Sequence, residues 1–382
     1  MPESVSIQTG SRLHFGPLSW RPEHGRNFGG IGMMIERPGV SLTASRTNRS
    51  DDDVNSPRAA ELLKRIRQKL SDDRCPTREC DPSPRESETL LREGDPSLRE
   101  GEAPAEPHLS SISGHRAAIS ELTETRSRRQ QTSGNAESAF SIRVQAEIPS
   151  HLGLGSGTQL GLALAESVCL LSGEERSAFE LAELAGRGER SGVGICGYEL
   201  GGFLVDAGHR TDDAPAELSV RMAFPDDWPV LLLIPPRETG CHGAEEQQIF
   251  HAMERMSPSL TGELCRLVLT EILPAIRQRQ FDEFTAGLEE YGRRIGTYFS
   301  PLQGGEFSSS RLRSLAAALR RSGERGPVQS SWGPSAVLFA ENSDHAEELT
   351  ARVLRFEATA DCRIIRTTVR NSGRRCDIVP VD

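Results

Sequence analysis

Apolar and polar positions alternate at Val5, Ile7 and Thr9, again at Leu13 and Phe15, and, after a glycine-rich stretch, at Val40, Leu42 and Ala44. A period of two predicts strands with one buried face. Phe140, Ile142, Val144, Ala146 and Ile148 repeat it cleanly. Pro57 to Leu70 instead sets Ala60, Leu63, Ile66, Arg67 and Leu70 at helical spacing behind Ser56 as N-cap, predicting an amphipathic helix packed on a sheet. Beyond Pro225 the texture changes. An apolar run at Val230–Ile234 ends in Pro235-Pro236, a helical stretch surrounds Glu245–Met256, and a long helical region from about Thr261 to Tyr298 contains Pro274. The end reads as strand (Ala336–Ala340), helix (Ser343–Phe356, after Asn342) and strand (Cys362–Val369). The pattern predicts an α+β chain of two layers with a boundary near 207–225, a first domain over 1–210 and a second over 225–382.

One segment interrupts this order. Residues 71–107 hold 16 charged residues and six prolines, with no aromatic, Val or Ile, too little apolar surface to offset the entropy of ordering. Asp-Pro-Ser-Pro-Arg-Glu (81–86) recurs as Asp-Pro-Ser-Leu-Arg-Glu (95–100), which reads as a duplicated surface loop. A disordered insertion is therefore expected over about 71–110, followed by a helix from Ile112 to about Arg126. Its 11 acidic and 5 basic residues give −6 of the chain's net −10.

Composition narrows the chemistry. Of 45 Lys+Arg among 382 residues only Lys64 and Lys69 are lysines, leaving 43 arginines, and both lysines fall beside the insertion rather than in the expected catalytic part. Schiff-base, pyridoxal-phosphate and Walker-type sites all need an ordered lysine, so no pyridoxal phosphate is expected and arginine must recognise any anion. A net charge of −10 argues against a nucleic-acid or polyanionic membrane partner and for small-molecule substrates. The eight cysteines show no metal-ligand spacing and read as reduced thiols. No basic-then-apolar leader and no apolar window of membrane-spanning length is seen, so a cytoplasmic location is expected.

The strongest local feature is Ile148-Pro-Ser-His-Leu-Gly-Leu-Gly-Ser-Gly-Thr-Gln-Leu. A strand gives way to a glycine-rich turn and an apolar helix, whose first amides and positive dipole end make an anion site without lysine. Gly153, Leu154, Gly155, Ser156, Gly157, Thr158 and Gln159 are the candidate contacts, with Ser156 a candidate ligand to a phosphate-bound Mg²⁺. A plain strand-to-helix connection is the alternative. A second segment, Gly186-Arg187-Gly188-Glu189-Arg190-Ser191-Gly192-Val193-Gly194, precedes Gly201-Gly202-Phe203-Leu204-Val205-Asp206. Arg12 and His14, two apart on a strand, share a face and can bind an anion and shuttle a proton, or simply be partly buried.

Pro149 with the Gly-Leu-Gly-Ser-Gly run resembles the phosphate loop of the GHMP kinase superfamily. Gly194 stands where several of those kinases carry a catalytic aspartate, which counts against phosphoryl transfer. Arg12-Leu13-His14-Phe15-Gly16, Gly-Leu-Gly-Ser-Gly-Thr-Gln, the Gly-Arg-Gly segment with Gly-Gly-Phe-x-Val-Asp, and Gln329-Ser330-Ser331-Trp332-Gly333-Pro334 together resemble the β-ribofuranosylaminobenzene 5′-phosphate synthase family.

That resemblance implies a two-domain GHMP-kinase-like fold, with an N-terminal half like domain 2 of ribosomal protein S5 and a ferredoxin-like C-terminal half. It also implies condensation of 5-phosphoribosyl 1-diphosphate with 4-aminobenzoate, releasing CO₂ and diphosphate, with Mg²⁺ bound to the diphosphate, and a homodimer. The implied site is catalytic Arg12, His14 and Arg190, and substrate contacts from the glycine-rich loop, Arg187, Ser191, Gly192, Ser330, Ser331 and Trp332. Trp332 is either a stacking surface for an aromatic acceptor or packing for its turn. Asp206 is either a metal or ribose ligand or a strand-end cap. A small-molecule kinase with a replaced base, or a non-catalytic ligand sensor, are the competing functions.

Overall fold

The computed structural model describes residues 2–74, 139–188, 191–210, 215–240, 248 and 252–380. In chain order the elements are β1 (Pro2–Gly16), β2 (Gly30–Thr47), β3 (Asp53–Val54), α1 (Pro57–Arg74), β4 (Ala139–Ala146), α2 (Ser156–Leu171), α3 (Ala178–Leu184) and α4 (Val193–Leu200). There follow β5 (Phe203–Asp206), β6 (Leu218–Met222), β7 (Val230–Ile234), α5 (Pro258–Arg266), a π-helical turn (Leu267–Ile272), α6 (Leu273–Gln278) and α7 (Phe281–Gln303). The chain closes with α8 (Ser310–Arg321), β8 (Val328–Gln329), β9 (Ala336–Phe339), α9 (Ser343–Arg355), β10 (Arg363–Thr367) and β11 (Arg375–Pro380). Residues 1–70 and 134–382 cluster as one compact unit, and of the second unit, 71–133, only the last turn of α1 is described.

The first sheet runs β11-β1-β2-β4-β3, with β5 paired to β2 and β6 to β5. Long β2 pairs with β1 on one edge and divides its other edge between two strands: Gly30–Met33 pairs with β5 and Ser41–Thr47 with β4. The closing strand β11 returns from the far end of the chain to lie antiparallel on β1, a pairing no local pattern carries. The second sheet, β10-β7-β9-β8, is antiparallel throughout. Its central strand explains the unbroken apolar run: Val230, Leu232 and Ile234 enter the main core, while Leu231 and Leu233 join Leu312, Leu315, Leu319, Leu349 and Val353 beneath α8 and α9. A strand covered on both faces has no polar side to alternate with.

Helix α2 is apolar nearly all round because it is buried nearly all round, lying against β1, β2, α3 and α4. Ser56 caps α1, its hydroxyl accepting from the Ala59 amide at 3.3 Å, and Asn342 caps α9 through the His345 amide at 2.9 Å, as their positions predicted. The long helical region near Pro274 is broken rather than continuous. A π-turn precedes the proline, and Arg279 turns left-handed at φ 57° to end α6 before α7 begins.

Ser71–Arg74, expected to open the disordered insertion, continue α1, because a helix nucleated on a buried face that reaches Leu70 propagates easily into one more polar turn. The rest of the insertion and the helix expected at 112–126 lie outside the described residues. So does most of the stretch around Glu245–Met256, whose described end, 253–257, is not helical. Both lysines therefore sit in an ordered helix, and Lys69 Nζ donates to the Glu183 carbonyl at 2.5 Å, near the C-terminus of α3. Among the described residues no helix is long and apolar enough to cross a membrane.

Candidate functional site: an arginine-rimmed helix start

Four segments far apart in sequence meet at the first turn of α2. The Arg12 amide donates to the Leu154 carbonyl at 3.0 Å, which joins β1 to the glycine-rich turn. Ser330 fastens both: its hydroxyl donates to the Gly153 carbonyl at 2.8 Å and accepts from the His14 amide at 3.1 Å. The Ser331 amide adds a bond to the His14 carbonyl at 2.6 Å. Gln159, wholly buried one turn into α2, accepts from the Thr9 hydroxyl and donates to the Gly194 carbonyl, each at 2.8 Å. Its amide thus positions the start of α4 from beneath the loop and is spent on protein partners.

Two glycines let arginines approach this turn closely, and the first is required by its backbone. Gly155, the residue before α2, has φ 68°, and a side-chain carbon placed there would come to 3.0 Å of Arg12 Cβ. A carbon on Gly157 would come to 2.6 Å of Arg187 Nη2. Arg12 Nε in turn lies 3.7 Å from where a Gly194 side chain would begin, beside Thr158. Arg12 and Arg187 therefore flank the same helix start. Arg190 lies outside the described residues.

His14 is buried, and its Nε2 has no hydrogen-bond partner among the described residues; it faces Gly30, where a side-chain carbon would approach to 2.7 Å. Burial, with the Arg12 charge added, pushes its pKa well below the usual histidine range, so the ring is neutral at physiological pH. Asp206 is also buried. Its two carboxylate oxygens accept from the Gly192 amide at 2.6 Å and the Gly208 amide at 2.7 Å, Ser191 adds its hydroxyl, and burial still raises the carboxyl pKa. Asp206 buckles the loop ahead of α4. Trp332 is buried with its ring stacked on Phe299, centroids 4.3 Å apart.

Sequence reading missed Arg58. Its Nη2 donates to Ser156 Oγ at 2.9 Å, its Nη1 lies 3.4 Å from the Ile148 carbonyl, and the nearest carboxylate among the described residues, Glu147, is 3.8 Å away. A signal existed: the first turn of α1 has no acidic residue and carries an arginine, the reverse of what the helix dipole favours.

The donor set does not fit a protein-held Mg²⁺. The Ser156 hydroxyl is bonded to a guanidinium, both Asp206 oxygens are taken by amides, and no cluster of three His, Cys, Asp or Glu occurs among the described residues. What the arrangement can do is hold a small, multiply charged anion against helix amides, hydroxyls and arginines.

Comparison with known proteins follows the same lines. The model of the GHMP kinases N terminal domain matches residues 117–199. A β-ribofuranosylphenol 5′-phosphate synthase of Methanothermobacter thermautotrophicus is 30% identical over 250 residues, 62% of this chain and 74% of that protein. One of Methanocaldococcus jannaschii is 27% identical over 296 residues, 73% of this chain and 74% of its own. Among solved structures, mevalonate diphosphate decarboxylase from Staphylococcus aureus superposes with TM-score 0.57 at 13% identity, covering 99% of this chain and 98% of its own. Homoserine kinase from Cytophaga hutchinsonii gives 0.53 at 12%, covering 99% and 98%. These two share the fold.

Proposed function

Since the chain belongs to the β-ribofuranosylphenol 5′-phosphate synthase family and has the α+β fold of GHMP kinases, we propose that it joins 5-phosphoribosyl 1-diphosphate to 4-aminobenzoate, releasing CO₂ and diphosphate on the way to methanopterin-type carriers. The observation that supports this most is the lysine-free helix start flanked by Arg12 and Arg187, suited to a diphosphate.

The bond changes define what the residues must do. Cleavage of the donor's C1–O bond sends the electron pair out on diphosphate and leaves oxocarbenium character at C1. The ring carbon bearing the carboxylate supplies the pair for the new C–C bond, and the pair of the ring–carboxylate bond returns to the ring as CO₂ departs. No proton is removed from that carbon. The main task is therefore to stabilise the leaving diphosphate, which falls to Arg12, Arg187 and the amides and hydroxyls of 155–158, with Arg190 in the same role by motif. Neutral His14 accepts a hydrogen bond from the acceptor's amino group, strengthening electron donation into the ring. Ser330, Ser331 and Asp206 position these groups. Mg²⁺ enters only as an ion carried by the diphosphate, and no step depends on a protein ligand to it.

The relatives' name specifies a phenol product, which favours 4-hydroxybenzoate as the competing acceptor. The test is incubation with Mg²⁺, 5-phosphoribosyl 1-diphosphate and carboxyl-labelled 4-aminobenzoate, with labelled 4-hydroxybenzoate in parallel. Donor-dependent labelled CO₂ from the amine is expected. Release from the phenol alone changes the acceptor; no release from either, with ATP consumed on an alcohol, overturns the reading in favour of a kinase.

A further inference from the structure

We infer that Arg58 is a third arginine of the anion site, contacting the diphosphate of the donor from the α1 side; this rests on the function proposed above. Three successive residues at the start of α2 each meet a different arginine: Gly155 meets Arg12, Ser156 meets Arg58 and Gly157 meets Arg187. Arg58 occupies the least favourable position of the three. It lies in the first turn of its own helix and bonds the first residue of α2, so the positive ends of two helix dipoles act on one guanidinium.

Its surroundings do little to offset this. The side chain is only 29% exposed, and Glu147, 3.8 Å away, is beyond hydrogen-bond reach and is bonded to the Ser56 hydroxyl. Burial accordingly lowers the Arg58 pKa, with Glu147 opposing in part. A folded protein holds a partly desolvated cation at two positive helix ends at a cost. An anion seated at the helix start is attracted by the guanidinium and by both helix ends and so offsets their mutual repulsion. The fork geometry also suits a diphosphate, since the Ser156 and Ile148 contacts leave further N–H donors of the five on a guanidinium.

The contrast with a neighbour on the same helix sets the control. Arg65 is exposed and paired with Glu61 at 3.1 Å one turn back. Titration calorimetry of the full chain with inorganic diphosphate, and separately with 5-phosphoribosyl 1-diphosphate, should show Arg58→Gln weakening both by about tenfold or more, Arg58→Lys by less, and Arg65→Gln leaving both unchanged. Circular dichroism confirms that each variant is folded; should Arg58→Gln fail to fold, Arg58→Lys carries the test, with a loss of at least about threefold expected. Unchanged diphosphate affinity in a folded Arg58 variant overturns the assignment and leaves the proposed function standing. A wild-type chain that binds neither ligand overturns both.

Discussion

The two ends of helix α2 handle charge in opposite ways. At its start, Arg12, Arg58 and Arg187 gather around Gly155, Ser156 and Gly157, and Glu147 stands 3.8 Å from Arg58. Further along, buried Glu166 accepts from the Tyr198 hydroxyl at 2.5 Å and from Arg374 Nε and Nη2 at 3.0 and 2.5 Å, while the Arg374 guanidinium lies 5.6 Å from the Tyr198 ring centroid. The second cluster is saturated and neutral, and it fastens the approach to β11 onto α2 and α4. The first gathers three arginines where the starts of two helices add positive potential. A saturated cluster stabilises the fold, and arginines gathered at a helix start suit an anion.

Breaking the saturated end gives the largest expected effect on stability. Glu166→Ala leaves a partly buried guanidinium and a buried hydroxyl without their acceptor, and unfolding in urea should show a loss of about 3 kcal/mol. Diphosphate affinity of the folded fraction should stay within about twofold of wild type. A large loss of affinity with intact stability would reverse the roles of the two ends.

The arginine-rich end should behave conversely. Gly157→Ala puts a carbon 2.6 Å from Arg187 Nη2, so the guanidinium must move, while alanine suits the helix better than glycine by about 1 kcal/mol. Stability should therefore rise or stay level, whereas calorimetry should show diphosphate binding weakened by about tenfold, or about 1.4 kcal/mol. Affinity unchanged by this substitution would remove Arg187 from the site.

This asymmetry was only half visible in the sequence. The glycine-rich loop, Arg12 with His14, and Ser330 are legible because backbone requirements and strand periodicity leave local traces: a glycine where φ is positive, a polar pair two apart. Arg58 leaves a weaker one, a basic residue where a helix favours an acid. Glu166, Tyr198 and Arg374 leave none, since their meeting depends on β11 returning to β1, and such long-range closure is written in no local period. Gln159 shows the opposite failure. Its place in the loop motif suggests a ligand contact, but the helix turns it inward to Thr9 and Gly194, because side chains three or so positions past a helix start point back beneath it.

His14 offers the smallest and most direct test, because it belongs to the arginine-rich end yet is neutral. Its folded pKa lies well below the ordinary value while the unfolded chain titrates near 6.5, so between those values the unfolded state binds more protons. Stability tied to His14 is therefore fully present above pH 6.5 and falls as acid is added, by roughly 1 kcal/mol per pH unit, until the folded ring itself titrates. Replacing it by glutamine, which cannot be protonated, should flatten that slope between pH 6.5 and 5 in urea unfolding. In the condensation, His14→Gln should lower the rate constant for CO₂ release more than it weakens donor binding, since the imidazole is assigned to the acceptor and the arginines to the diphosphate. A slope that persists unchanged in the variant would place the acid sensitivity in another group, and a donor affinity that collapses with His14 would join the two sides of the site that the arginine ring keeps apart.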